Sequence, residues 1–260
     1  TLDCAIESGM KESGVRSVIA VAVERDKRYL GASLSNNPQL WDSNSCVIES
    51  YIEDVNLAKN PTQVDALFAG IPCTGASSAG KSKLKLDVAE SHPEAGAMFF
   101  YVLSFIKALN PSLVVIENVE AYSNSVGMIV IRTVLKSLNY TLNERILNGN
   151  DFGSLERRKR LCVVAISNGI SDGFDLKEIK SLRQKESCID DILEDIPLDS
   201  DRWKTYDYLA AKAVTDKAAG KGFARQIFTG KESYCGVITK GYQRVRSTDP
   251  FLAHPIYGEK

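Results

Sequence analysis

Three separated segments carry side chains able to do covalent and acid–base chemistry. Pro72-Cys73 follows the apolar run Ala66 to Ala69, Glu117-Asn118 follows Leu113 to Ile116, and Arg158 and Arg160 lead into Leu161 to Ile166. Short apolar runs of this kind read as strands buried on both faces, so each functional group stands at a strand end. A thiolate at Cys73 is a nucleophile. A carboxylic acid at Glu117 can give or take a proton, and guanidinium groups can hold negative charge as it develops. Strand alternation sends Arg158 and Arg160 to one side, toward a single site. Pro72 stiffens the backbone before Cys73, and the small residues after it leave the thiol accessible. Cys4, Cys46, Cys162, Cys188 and Cys235 read as small buried hydrophobes or as incidental.

The elements that must position these groups alternate along the first two thirds of the chain. Val18 to Val23 is a further strand-like run. Met98, Phe99, Val102, Phe105, Ile106 and Leu109 form one face of a helix that starts near Ser91-His92-Pro93-Glu94 and stops at Asn110-Pro111. A second helix is expected from about Val126 to Leu138. Strand, helix and strand in repetition predict an open, doubly wound α/β domain with a mostly parallel sheet, whose chemistry gathers at the carboxyl ends of the strands. Beyond about Asn168 the rhythm fails. A short helix is expected at Cys188 to Asp195, and the division predicted is a domain over 1–168 and a smaller region over 169–260.

The 260 residues are 44% hydrophobic and 25% charged, which excludes wholesale disorder. No apolar run reaches the roughly 18 to 20 residues of a membrane span. Thr1 is followed by no basic-then-apolar leader, so no secretory signal is expected. Six cysteines without a C-x-x-C pair predict neither a disulfide framework nor a metal site, and point to the cytoplasm. The net charge of -1 is unevenly spread. Residues 1–200 carry a net of -6 and residues 201–260 a net of +5, which predicts a localised site for a polyanion.

Gly75 to Ser82 also fits G-x-x-x-x-G-K-[ST], the phosphate-cradling loop of nucleotide hydrolases. That loop should feed a helix. Lys83-Leu84-Lys85-Leu86-Asp87-Val88 alternates instead, which weakens this rival.

Taken in order, Pro72-Cys73, Glu117-Asn118-Val119 and Arg158-x-Arg160 resemble the three signature motifs of the DNA cytosine-5 methyltransferases, of restriction-modification or phage type. Asn148 to Gly153 is similar to that family's lead-in to the arginines, and Thr1 to Gly14 to the helix after its glycine-rich cofactor loop. The similarity covers about residues 1–168. Thr74, Ala76 and Glu156 stand where the family usually has Gln, Phe and Gln. The glycine loop and the closing motifs are absent, so the chain reads as the middle of such an enzyme.

The resemblance implies a Rossmann-like S-adenosylmethionine-dependent fold, with a target-recognition domain within the basic region. It implies that Cys73 adds to carbon 6 of a flipped-out cytosine, making carbon 5 a nucleophile. Glu117 would serve the ring nitrogen, oriented by Asn118. Arg160 would hold the base oxygen, and Arg158 would support the pocket or a phosphate. Glu24 would hold the cofactor ribose and Asp54 its adenine amino group, with Arg25 where an aromatic often packs and Pro72 beside the cofactor. Ser77, Lys81, Lys83, Arg244 and Arg246 would contact duplex DNA. The expectation is a monomer with no metal and no membrane partner. An RNA cytosine-5 methyltransferase on the same scaffold is the rival within the class.

Overall fold

The computed structural model describes residues 2–56, 63–72, 96–170, 173–220, 225–239 and 241–258. The chain divides into two compact units, Thr1–Ile146 with Arg160–Lys177, and Leu147–Lys159 with Glu178–Lys260.

The first unit begins with α1 (Leu2–Glu12), β1 (Val21–Glu24), α2 (Lys27–Asn36) and β2 (Cys46–Glu49). β1 and β2 pair in parallel, Val21 opposite Cys46 and Glu24 opposite Glu49. There follow β3 (Ala66–Gly70), α3 (Met98–Leu109), β4 (Leu113–Val119), α4 (Val126–Ser137), β5 (Tyr140–Asn148) and β6 (Lys159–Ser167). The sheet order is β3-β4-β6-β5.

Local chemistry explains the boundaries. α3 ends at Asn110, which takes φ 45° and donates its N–H to the Ile106 carbonyl; asparagine tolerates this left-handed geometry, and Pro111 cannot prolong the helix. α4 starts where the Ser125 hydroxyl accepts the Met128 N–H at 3.1 Å. Met128, Ile131 and Leu135, spaced three and four apart, are fully buried against Ile106, Val114, Ile116, Leu161, Val163 and Ala165. Each such side chain contributes about 1.5–3 kcal/mol by leaving water.

β4 alternates, with Val114, Ile116 and Asn118 buried and Leu113, Val115, Glu117 and Val119 on the less buried face. It runs parallel to β3, with Gly70 opposite Glu117, but antiparallel to β6, with Val119 opposite Arg160. The expectation of parallel pairing therefore holds for β3 with β4 and not for β4 with β6. The ten residues between β5 and β6 hold a single 3-10 turn, Gly149–Phe152, rather than a crossover helix, so β6 is free to run the other way. β5 was not expected from the sequence, because Asn143-Glu144-Arg145 interrupts its apolar pattern. Glu144 there forms a two-pronged pair with Arg132 of α4, both contacts at 2.8 Å.

In the second unit, α5 (Asp207–Ala218) accompanies the parallel pair β7 (Gln226–Phe228) and β8 (Pro250–Leu252). Leu155, Ile189, Leu209 and Phe228 are buried there beside the polar Asp216, Asp249 and His254. The helix expected at Cys188 to Asp195 is one 3-10 turn, Ile189–Ile192. The acidic stretch from Glu186 to Asp199 belongs to this same unit. Counted over the whole unit, 17 Lys+Arg face 15 Asp+Glu, so the basic excess of residues 201–260 is largely offset. Among the described residues no helix is long and apolar enough to cross a membrane.

Candidate active site

Backbone pairing brings Glu117 and Arg160 together at the edge where β3 ends. Glu117 stands opposite Gly70, and a Cβ at Gly70 would lie 3.9 Å from Glu117 Oε2. The carboxylate thus sits over the end of β3, two residues before Pro72. On its other side Glu117 faces Cys162, while Arg160 faces Val119, so Arg160 is the diagonal neighbour of Glu117 on one sheet face. Arg160 Nε meets Glu117 Oε1 at 2.6 Å, with the two side chains 26% and 38% exposed. At that exposure the pair adds little to stability; its consequence is orientation. Burial pushes the Cys162 thiol up, and the Glu117 charge adds to the effect, which keeps this neighbouring sulfur protonated and a poor nucleophile.

Asn118 does not orient Glu117. The two-residue period of β4 turns it to the opposite, buried face, where it is 2% exposed. Its Nδ2 donates to the Ile71 carbonyl at 3.3 Å and its Oδ1 accepts the Val119 N–H at 2.8 Å. It therefore braces the backbone immediately before Pro72.

Arg158 also departs from expectation. β6 begins at Lys159, so strand alternation does not govern Arg158. It lies in the second unit, exposed, with Nη1 3.9 Å from Glu156 Oε1.

The expected cofactor residues stand at the end of β1 or in the segments that follow β1, β2 and β3. Glu24 closes β1, and its Oε1 accepts the Asp26 N–H at 2.9 Å. Arg25 Cζ lies 5.4 Å from the centre of the Tyr51 ring, an aromatic that the sequence reading did not single out. Asp54 ends the 3-10 turn Ile52–Asp54 and is exposed, as is Pro72. Carboxylates accept from hydroxyl and amino donors, so Glu24 and Asp54 fit the adenosine part of S-adenosylmethionine. Cys73, Ser77, Lys81 and Lys83 lie outside the described residues, as does the rest of Gly75 to Ser82.

In the second unit Arg244 and Arg246 are exposed and flank Val245, whose φ of 48° is strained for a β-branched residue. The Arg246 N–H is held by buried Asp249 at 2.7 Å. Among the described residues no three His, Cys, Asp or Glu side chains gather as metal ligands would.

The sequence profile described as C-5 cytosine-specific DNA methylase matches residues 5–250. The chain belongs to that family. The Type II methyltransferase M.Eco47II of Escherichia coli is 29% identical over 171 residues, which are 64% of this chain and 38% of the relative. M.NlaX of Neisseria lactamica is 29% identical over 188 residues, 69% of this chain and 56% of the relative. The chain thus spans about half the length of the curated relatives it matches. Among solved structures, Schizosaccharomyces pombe Dnmt2 methyltransferase superposes with a TM-score of 0.65 at 16% identity, covering 94% of this chain and 70% of that one. A putative DNA modification methyltransferase encoded within an E. coli prophage superposes at 0.53 with 15% identity, covering 92% and 78%. The fold of this chain is accordingly the Rossmann-like α/β fold of the methyltransferases.

Two contacts of this chain had no local signal in the sequence. Tyr51 meets Arg25 across 26 positions, and Tyr234 lies beneath Arg157 across 77, with the guanidinium carbon 3.3 Å from the ring centre. Only tertiary pairing creates them.

Proposed function

We propose that this chain carries the active centre of an enzyme that methylates carbon 5 of a flipped-out cytosine in duplex DNA, of restriction-modification type. The observation that carries the reading is the Glu117–Arg160 pair, held at 2.6 Å where β3 delivers Pro72 and the chain toward Cys73. The Cys73 thiolate adds to carbon 6, forming a C–S bond and moving an electron pair into the ring. Glu117 shares its proton with nitrogen 3 as that charge develops, and Arg160 holds the base oxygen and stabilises the same charge. When bound, S-adenosylmethionine supplies an electrophilic methyl group. Glu24, Arg25, Asp54 and Pro72 hold it. Water then takes the carbon 5 proton, the C–H electron pair restores the double bond between carbons 5 and 6, and the C–S bond breaks to release the Cys73 thiolate. Arg158, Ser77, Lys81, Lys83, Arg244 and Arg246 meet DNA, chiefly its phosphates. The Asn118 brace keeps the backbone before Pro72 from drifting, which matters because small misplacements of a nucleophile are costly.

The test is covalent capture on duplex DNA containing 5-fluorocytosine, with S-adenosylmethionine present. A denaturant-resistant adduct forms in the wild type and disappears in Cys73→Ser. An adduct that survives this substitution overturns the role of Cys73. Methyl transfer to transfer RNA and none to duplex DNA would move the substrate to RNA.

A further inference from the structure

The link Gly149–Arg158, which leads into the strand bearing Arg160, is tied along its length to Ser233–Ile238 within the second unit. Asn150 Nδ2 donates to the carbonyls of Ser154, Leu155 and Ser233 at 3.0, 3.3 and 3.2 Å. Lys185 Nζ reaches both Asn150 Oδ1 and the Ser233 carbonyl, at 3.3 and 3.2 Å. The Cys235 N–H donates to the Leu155 carbonyl at 2.8 Å, and the Arg157 N–H returns to the Cys235 carbonyl at 3.0 Å. The Arg157 guanidinium covers the Tyr234 ring. One side chain joins this backbone ladder to an arginine. Glu156 Oε1 accepts the Ile238 N–H at 2.9 Å and lies 3.9 Å from Arg158 Nη1, with the Glu156 side chain 25% exposed.

We infer that Glu156 is a positioning residue, which fixes the arginine-bearing link to the Ser233–Ile238 segment and steers Arg158. A side chain with an acceptor oxygen is required to hold Ile238, and either a carboxylate or an amide has one. Only the carboxylate also attracts Arg158. Glutamine should therefore keep the link in place, and alanine should release it. The charge has a second reporter, since the Cys235 thiol is pushed up by burial and then by Glu156.

The inference is tested on the chain with Glu156→Ala and Glu156→Gln. In E156A, amide hydrogen exchange at 149–158 and at Ile238 should rise together by about tenfold, with α5 unchanged; E156Q should restore both. In both variants Cys235 should alkylate at lower pH. Unchanged exchange in E156A, a rise that glutamine does not rescue, or an unmoved Cys235 profile would each overturn the inference. The turnover arm rests on the proposed function: kcat for DNA methylation should fall about tenfold in E156A and return in E156Q, whereas KM for DNA should rise in both, because both lose the carboxylate that steers Arg158. If the wild type methylates no DNA, that functional reading fails while the exchange comparison still decides the role of Glu156.

Discussion

Ile106, Ile116, Met128, Ile131 and Leu135 interlock in the first unit, where buried Asn37, Asn118 and Ser125 are outnumbered by large apolar side chains, whereas the second unit buries Asp216, Asp249 and His254 among far fewer of them. His254 shows how the second unit compensates. Its Nδ1 accepts the Ile256 and Tyr257 N–H groups at 3.1 and 3.2 Å, which leaves Nε2 to donate to the Leu198 carbonyl at 3.0 Å. The ring also stacks on Tyr257 and meets Trp203 edge to face. Non-directional burial organises the unit that presents Glu117 and Arg160. Directional bonds organise the one that presents Arg244 and Arg246. A unit of the second kind can vary its surface without losing its frame, provided that each buried polar group keeps its partner.

Each unit has its own reporter, since Trp41 lies in the first and Trp203 in the second. The largest expected effect is on the first. Ile131→Ala should lower its stability by about 2–5 kcal/mol, read as an earlier Trp41 transition in urea, because the site cannot collapse around the cavity. His254→Ala should cost the second unit about 2–3 kcal/mol, read at Trp203, because it orphans one carbonyl and two N–H groups at once. If both tryptophans move equally in both variants, the units unfold as one and the contrast in their construction has no energetic meaning.

A smaller loss, about 1–3 kcal/mol at Trp41, is expected for Asn118→Ala, which leaves the Ile71 carbonyl and the Val119 N–H without their side-chain partner. Asn118→Asp keeps the acceptor for Val119 and loses the donor to Ile71. Its cost should approach that of alanine if the brace before Pro72 is the contact that matters.

The same contrast governs what was legible in the sequence. The strands before Cys73 and Glu117 announce themselves as short continuous apolar runs, and α3 and α4 by a period of about 3.6, whereas α2 gave no such signal. Asn110-Pro111 and Ser125 mark helix ends by local chemistry, and both act there. What was not legible is long-range. The direction of β6 depends on how the chain returns from β5, and the face of Asn118 on a strand that had to be placed to the residue. In the second unit, partners such as Glu156 with Ile238 and His254 with Leu198 are tens of residues apart. The charge of residues 201–260 is long-range in the same sense: acids that precede it in the chain share its unit.

Acid should act on the second unit through Glu232. Its carboxylate accepts the N–H groups of Thr229 and Gly230 and the Thr229 hydroxyl, all near 3.0 Å, and the backbone bond from Thr229 leads the causes that hold its pKa below the ordinary value. A lowered pKa contributes stability above the unfolded value of about 4.3, lost as pH falls through the folded value. Glu232→Gln should therefore be less stable than wild type at neutral pH by the Trp203 transition, with the gap closing below about pH 4. A gap independent of pH would show that the carboxylate charge plays no part.

The smallest effect lies at the candidate active site and tests its electrostatics without needing turnover. Burial first, and the Glu117 charge second, raise the Cys162 pKa. Glu117→Gln removes the second cause and leaves the first, so the thiol should titrate lower than in wild type yet still above an ordinary cysteine. The pH dependence of alkylation at Cys162, followed by mass spectrometry, reads this directly. The linkage has a definite sign: a raised thiol pKa contributes stability below the unfolded value, lost as pH rises through the folded one, so the variant should lose less at alkaline pH. Arg160 makes the result informative. Its guanidinium lies 2.6 Å from the same carboxylate, so removing that charge in Arg160→Leu should leave the Glu117 charge less compensated and move the thiol in the opposite direction, further up. If neither substitution shifts Cys162, the charges of Glu117 and Arg160 cancel as seen from the sheet, and only a ligand that separates them would feel either one.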